Sequence, residues 1–134
     1  MNDTLHGTWR LVSAEIEFAD TGERIDMYGP NPVGRLVLAE NGRMLTMLSA
    51  ADRPTSDAAA AFAEMMAYSG PYRVEGDKIT TTVDVAWHPA WVVTDQVRFY
   101  RRDGDRFYVR TATVTHPKFP GRPAVGILEW RRER

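Results

Sequence analysis

The 134-residue chain contains no cysteine. That excludes disulfides and every cysteine-ligated metal centre. Lysine is almost missing as well, Lys78 and Lys118 being the only two, so the positive charge is carried by arginine. With 17 basic and 18 acidic residues the formal net charge is −1, and there is no basic excess of the kind that draws nucleic acid. No apolar run approaches the roughly 18 residues of a membrane span. The opening Met1-Asn2-Asp3-Thr4-Leu5-His6 has neither the basic nor the apolar region of a secretory leader. A cytoplasmic protein is expected, with neither nucleic acid nor membrane as partner. A nucleophile elbow, a phosphate-cradling glycine loop and a dinucleotide fingerprint are all lacking. His6, His88 and His116 show no metal-ligand spacing, so no metal and no cofactor is expected.

What is present reads as one domain of short β-strands. Gly7-Thr8-Trp9 opens an alternating run that continues to Phe18, and Asp20-Thr21-Gly22-Glu23 turns the chain. Two prolines and two glycines make residues 27–34 a loop. The segment from Gly34 to Ala39 and that from Arg43 to Ser49 flank Asn41-Gly42, a strong hairpin signal. A two-residue type I′ turn there puts Leu38 opposite Leu45, with Leu36, Leu38, Leu45 and Met47 on the core face. The alanine-rich stretch 57–67 predicts the one helix, capped by Thr55, Ser56 or Asp57, with Phe62, Met65 and Met66 as its packing stripe. Strands resume from Tyr68 to Val74 and from Lys78 to Val85 around Gly76-Asp77, with Val74 facing Ile79, Tyr72 facing Thr81 and Gly70 facing Val83. Residues 86–94 form an aromatic loop. Asp103-Gly104 joins a further hairpin, Gln96 to Arg102 and Arg106 to Val114. Pro117, Pro120, Gly121 and Pro123 mark a loop, and Val125 to Arg132 is the last strand. The count is eight strands, which predicts an all-β, up-and-down antiparallel barrel with one short helix.

Several segments together resemble the lipocalin-like domain proteins of bacteria and fungi, within the calycin superfamily. They are Gly7-Thr8-Trp9-Arg10-Leu11-Val12, Gly42-Arg43-Met44, Tyr72-x-Val74-x-Gly76-Asp77, Pro89-x-Trp91, Gln96-Val97-Arg98, Asp103-Gly104-Asp105-Arg106 and Trp130. The resemblance covers nearly the whole chain. It implies an eight-stranded barrel with one open end and a small, mostly apolar interior, and it implies little about activity. Family members often carry histidines near the positions of Thr81 and Thr82. Their absence puts histidine chemistry on that strand in doubt.

The chemistry then turns on which side chains point inward. A two-residue turn at Asp103-Gly104 pairs Tyr100 with Phe107 and places Gln96, Arg98, Tyr100, Phe107, Val109 and Thr111 on one face. An inward Arg98 must find an anion or several acceptors, and a ligand carboxylate or enolate would serve. A three-residue loop reverses the parity and exposes Arg98. Trp87 and Trp91 could cap an apolar ligand, and His88 between them could act as acid or base or simply be exposed. Alternation places Glu15 on the face of Trp9, Leu11 and Ser13, near the mouth or past the rim in water. Trp9, Trp130 and Arg131 are assigned to closing the barrel end, the arginine over the indole.

The resulting expectation is a barrel that binds a small hydrophobic or amphipathic molecule. Leu36, Met47, Tyr72 and Trp91 would supply apolar contact, and Ser13, Thr81, Arg98 and Tyr100 would orient polar atoms. The alternatives are a cofactor-independent isomerase, cyclase or dehydratase with His88 or Glu15 as base and Arg98 stabilising an oxyanion, or a filled scaffold. Oligomeric state is left open, a homodimer included.

Overall fold

In a computed structural model describing residues 5–115 and 119–134, the alternating segments join into one antiparallel sheet that closes on itself. Its elements are β1 (Gly7–Phe18), β2 (Arg24–Asp26), β3 (Val33–Leu38), β4 (Arg43–Ser49), α1 (Ala58–Ala63), β5 (Met65–Glu75), β6 (Lys78–Thr82), β7 (Val85–Ala86), a 3₁₀ turn (Pro89–Trp91), β8 (Asp95–Asp103), β9 (Arg106–Thr111), β10 (Val114–Thr115) and β11 (Pro123–Arg132). The eight long strands β1, β3, β4, β5, β6, β8, β9 and β11 pair in that order, and β11 closes the ring on β1. The three short strands are additions: β2 pairs with β1, β7 with β5 and β10 with β11. His116, Pro117 and Lys118 lie outside the described residues.

A bulge in β1 decides which side chains look inward. Leu11 pairs with Trp130 but Ser13 pairs with Glu129, so one extra residue sits between them. The inward set is therefore Trp9 and Leu11 before the bulge, then Ala14, Ile16 and Phe18 after it, all buried. Simple alternation through Ser13 and Glu15 fails for this reason. Both lie on the outer side, and Glu15 sits 3.8 Å from Arg24.

The β3–β4 hairpin departs from expectation by one residue. Ala39 pairs with Arg43 across a three-residue loop, Glu40-Asn41-Gly42, and Gly42 takes the left-handed conformation at φ +90°. Leu38 then faces Met44 and Leu36 faces Thr46. Met44, Thr46 and Leu48 point in, while Leu45 and Met47 are 55% and 58% exposed. Met47, expected in the ligand cavity, therefore lies on the outer surface, because the three-residue loop shifts the register of β4 by one.

The other hairpins keep their faces. Tyr72 faces Thr81 and Val74 faces Ile79 as expected. Farther along, β6 ends at Thr82, and Ser69 pairs with Val85 of β7. Gly70 sits at this irregularity, where an added Cβ would overlap the Thr82 carbonyl. In β8–β9 the turn is Gly104-Asp105 rather than Asp103-Gly104, so Tyr100 faces Val109 and Arg98 faces Thr111. A shift of two residues preserves every face. Phe107 and Val109 are buried inside, and Phe99, Arg101 and Arg110 lie outside.

The helix is shorter than its composition predicts. Asp57 caps it, accepting from the Ala60 amide at 3.1 Å, and it ends at Ala63. Met65 and Met66 belong instead to β5, opposite Ser49 and Leu48. Pairing with β4 outweighs local helix propensity there.

Trp9, fully buried, fills one end beside Phe107, their ring centres 5.1 Å apart. Its indole N–H donates to the Leu5 carbonyl at 3.0 Å. The arginine over it is Arg132, at 4.3 Å, not Arg131. Alternation turns Trp130 inward and Arg131 outward, and Arg132 is the residue opposite Trp9. On the outer surface, Arg106, Arg131, Arg10 and Arg35 stand directly opposite one another across four adjacent strands. The outer two pair with Glu129 and Glu133, whereas Arg131 and Arg10 have no carboxylate partner among the described residues.

Candidate functional site

Inside the barrel lies a cavity of about 410 Å³. Side-chain size explains where it sits. Trp9, Phe107 and Trp130 fill the closed end, whereas Thr46, Thr81, Thr111, Ala124 and Gly126 are small inward residues farther along their strands. Buried apolar wall comes from residues such as Leu36, Met44, Leu48 and Met66. The exposed lining residues Asp95, Ala112, Val114 and Thr115 mark the mouth.

One side of the cavity is aromatic. Phe62 of α1 stacks on Trp87 at 6.0 Å, Trp87 meets Trp91 edge-on at 5.0 Å, and Trp91 meets Tyr68 at 5.3 Å. Trp91 and Tyr68 line the cavity, with Trp87 and Phe62 behind them. The Trp87 indole nitrogen is buried without a hydrogen-bond partner among the described residues. The loop that carries Trp91 is held by backbone bonds from Val93 N–H to the Val83 carbonyl and from Val83 N–H to the Thr94 carbonyl, both 2.9 Å. Val93 takes φ +66°, a strained conformation for a β-branched residue.

Arg98 supplies the cationic group of the lining. Its Nη1 donates to the Val97 carbonyl at 3.0 Å, and both Nη atoms lie 3.4 Å from Gln96 Oε1. Gln96 is held in turn by its amide donating to Thr94 Oγ1 at 3.0 Å. The guanidinium lies 5.9 Å from the Tyr68 ring centre. No ion pair among the described residues involves Arg98.

A family model described as a lipocalin-like domain matches residues 6–133. The chain belongs to the lipocalin-like domain family. No curated protein matches it. Membership and the closed, hollow barrel point to ligand binding in general.

Of the residues expected at the site of this lipocalin-like barrel, Leu36, Thr81, Trp91 and Arg98 line the cavity. Ser13 and Met47 do not, because the bulge and the hairpin register turn them outward. Tyr72 and Tyr100 lie toward the closed end, outside the lining. The Tyr72 hydroxyl donates to the Ala39 carbonyl at 3.3 Å, and burial raises its pKa. The Tyr100 hydroxyl donates to the Gly76 carbonyl at 3.2 Å, and its ring lies 5.5 Å from Phe107. Tyr68, Met66, Met27 and Thr111 also line the cavity, although none of them was among the residues expected at the site. Tyr68 and Met66 could have been found from the pairing partners of β4, had its register been known.

Neither base considered for an enzyme reaches the cavity. Glu15 is outside the barrel beside Arg24. His88 caps the 3₁₀ turn, its Nδ1 accepting from the Ala90 amide at 3.2 Å, and it is not in the lining. Among the described residues no group of three His, Cys, Asp or Glu side chains is placed to hold a metal, and no helix is long and apolar enough to cross a membrane.

Proposed function

We propose that this protein binds one small, largely apolar organic molecule inside the barrel. The cavity itself carries the reading. Its volume of about 410 Å³ falls in the range of small-molecule pockets, and its wall is mostly aliphatic and aromatic with a few polar groups. The ligand's body would lie against Leu36, Leu48, Met66 and Trp91, with Thr81, Tyr68 and Arg98 at its polar end. Eight-stranded barrels have interiors only wide enough to be filled or to hold one such molecule.

The test is titration with the neutral apolar fluorophore N-phenyl-1-naphthylamine. The expected result is saturable fluorescence gain with energy transfer from tryptophan, and a rise in melting temperature with probe concentration. Met66→Lys, which puts an ammonium in the wall, should abolish binding, whereas Met47→Lys on the outer face should leave it intact. Non-saturable probe fluorescence, or equal loss in both variants, would refute the proposal.

A further inference from the structure

Resting on that reading of the cavity, we infer that its ligand carries a carboxylate, or an equivalent planar two-oxygen anion, which seats on Arg98. A guanidinium has five N–H donors in one plane. The protein engages Nη1 fully, through the Val97 carbonyl and Gln96 Oε1, and one hydrogen of Nη2, again through Gln96. What is left is Nε–H and the other Nη2 hydrogen. Covalent geometry makes these two parallel, and that side-on fork is the one that matches the two oxygens of a carboxylate.

The surroundings favour the same occupant. A cation in the lining of an apolar cavity needs a counter-charge, and no described carboxylate pairs with Arg98. Asp95, the acid at the mouth, accepts instead from the Thr82 hydroxyl at 2.9 Å. The hydroxyls of Tyr68 and Thr81, both cavity residues, have no protein hydrogen-bond partner among the described residues and can donate to an anion. The chain Thr94–Gln96–Arg98 fixes the guanidinium before the ligand arrives, and so lowers the entropy cost of binding.

Decanoate, 1-decanol and decylamine share an apolar tail and differ in head group. Each is titrated below its aggregation limit, read by tryptophan fluorescence and displacement of the neutral fluorophore. Decanoate should bind about tenfold or more tighter than decanol, as expected for a charge-assisted hydrogen bond, and decylamine weakest. Arg98→Met should lose the preference for the acid while retaining decanol, and Arg98→Lys should keep only part of it. Equal affinity for acid and alcohol, or an intact preference in Arg98→Met, overturns the inference and leaves the apolar site standing. Failure of all three probes to bind overturns both. A second measurement needs no variant: in the wild-type complex, carboxyl-¹³C decanoate should remain ionised to lower pH than free decanoate. A bound carboxyl that titrates at or above the free value also overturns it.

Discussion

Truncating two neighbours on β4 should have opposite consequences. Leu48 is 1% exposed and points inward, whereas Met47 is 58% exposed and points outward. Removing a buried leucine side chain costs about 2–5 kcal/mol, from lost transfer energy plus the space left behind. Leu48 already borders the cavity, so some of its surface faces no protein atoms and fewer contacts are lost. The lower part of that range, about 2–3 kcal/mol, is expected for Leu48→Ala. At roughly 2–8 °C per kcal/mol for domains of this general size, the melting temperature should fall by roughly 5–20 °C. Met47→Ala should stay within about 0.5 kcal/mol of the parent. Urea denaturation followed by circular dichroism, with the midpoint compared at equal slope, measures both. A two-residue turn at Asn41-Gly42 would bring Leu45 and Met47 inside and invert the result. A larger loss for Met47→Ala than for Leu48→Ala would therefore refute the register, and with it the assignment of Met44, Thr46 and Leu48 to the cavity wall.

Three further outcomes follow from single residues. Val93 is 84% exposed at φ +66°, so Val93→Gly loses little burial and relieves a strain of about 1–2 kcal/mol, offset by about 0.5–1 kcal/mol of added unfolded-state freedom. A melting temperature a few degrees above the parent is expected, and a lower one would contradict the strain argument. Arg131→Glu places an acid between Arg106 and Arg10 and should raise the melting temperature at low salt. The gain should shrink at about 1 M salt, where the screening length is about 3 Å, and a gain indifferent to salt would count against a charge effect. Burial, with the charge of Glu64 second, raises the pKa of the Tyr28 hydroxyl above the ordinary 10.0. Between the unfolded and folded values the folded state holds the extra proton, so the contribution of Tyr28 to stability is undiminished below pH 10 and falls as pH rises beyond it. Tyr28→Phe should flatten that fall by up to about 1.4 kcal/mol per pH unit in denaturation series above pH 10, and an unchanged slope would rule out the assignment.

How far each strand could be read depended on whether its pattern or its turn set the faces. In β1 the pattern carried the answer: Trp9 and Leu11 occupy one phase, and Ala14, Ile16 and Phe18 the other, with polar Ser13, Glu15 and Glu17 between. That slip of phase marks a bulge, and reading straight through it misplaced Ser13. In β4 no pattern could decide, because Leu45 and Met47 are as apolar as Met44 and Leu48. The faces then rest on the turn, and Asn41-Gly42 suits both a two-residue turn and a three-residue loop ending in a left-handed glycine. In β8 and β9 the turn lay one residue from its expected place, yet both strands shifted together and Arg98 kept its side. The end of α1 was beyond local reading, since Met65 and Met66 leave the helix only because β4 offers them partners.

The site itself follows from side-chain size in a ring of fixed width. An eight-stranded barrel can be filled by its own side chains, and this one is filled at the end where Trp9, Phe107 and Trp130 meet. Farther along the strands, the inward positions hold Thr46, Thr81, Thr111, Ala124 and Gly126, drawn from β4, β6, β9 and β11, four strands that are scattered in sequence. None of them signals a pocket singly, and only closure of the sheet brings their missing volume to one place. A Cβ on Gly126 would already lie 3.1 Å from the Thr111 methyl, so this wall is packed tightly by small residues rather than left loose by large ones. The hollow is therefore a product of composition at matched heights on different strands. Arg98 stands out in the sequence because its charge demands a partner, whereas the space it borders exists only in the closed ring.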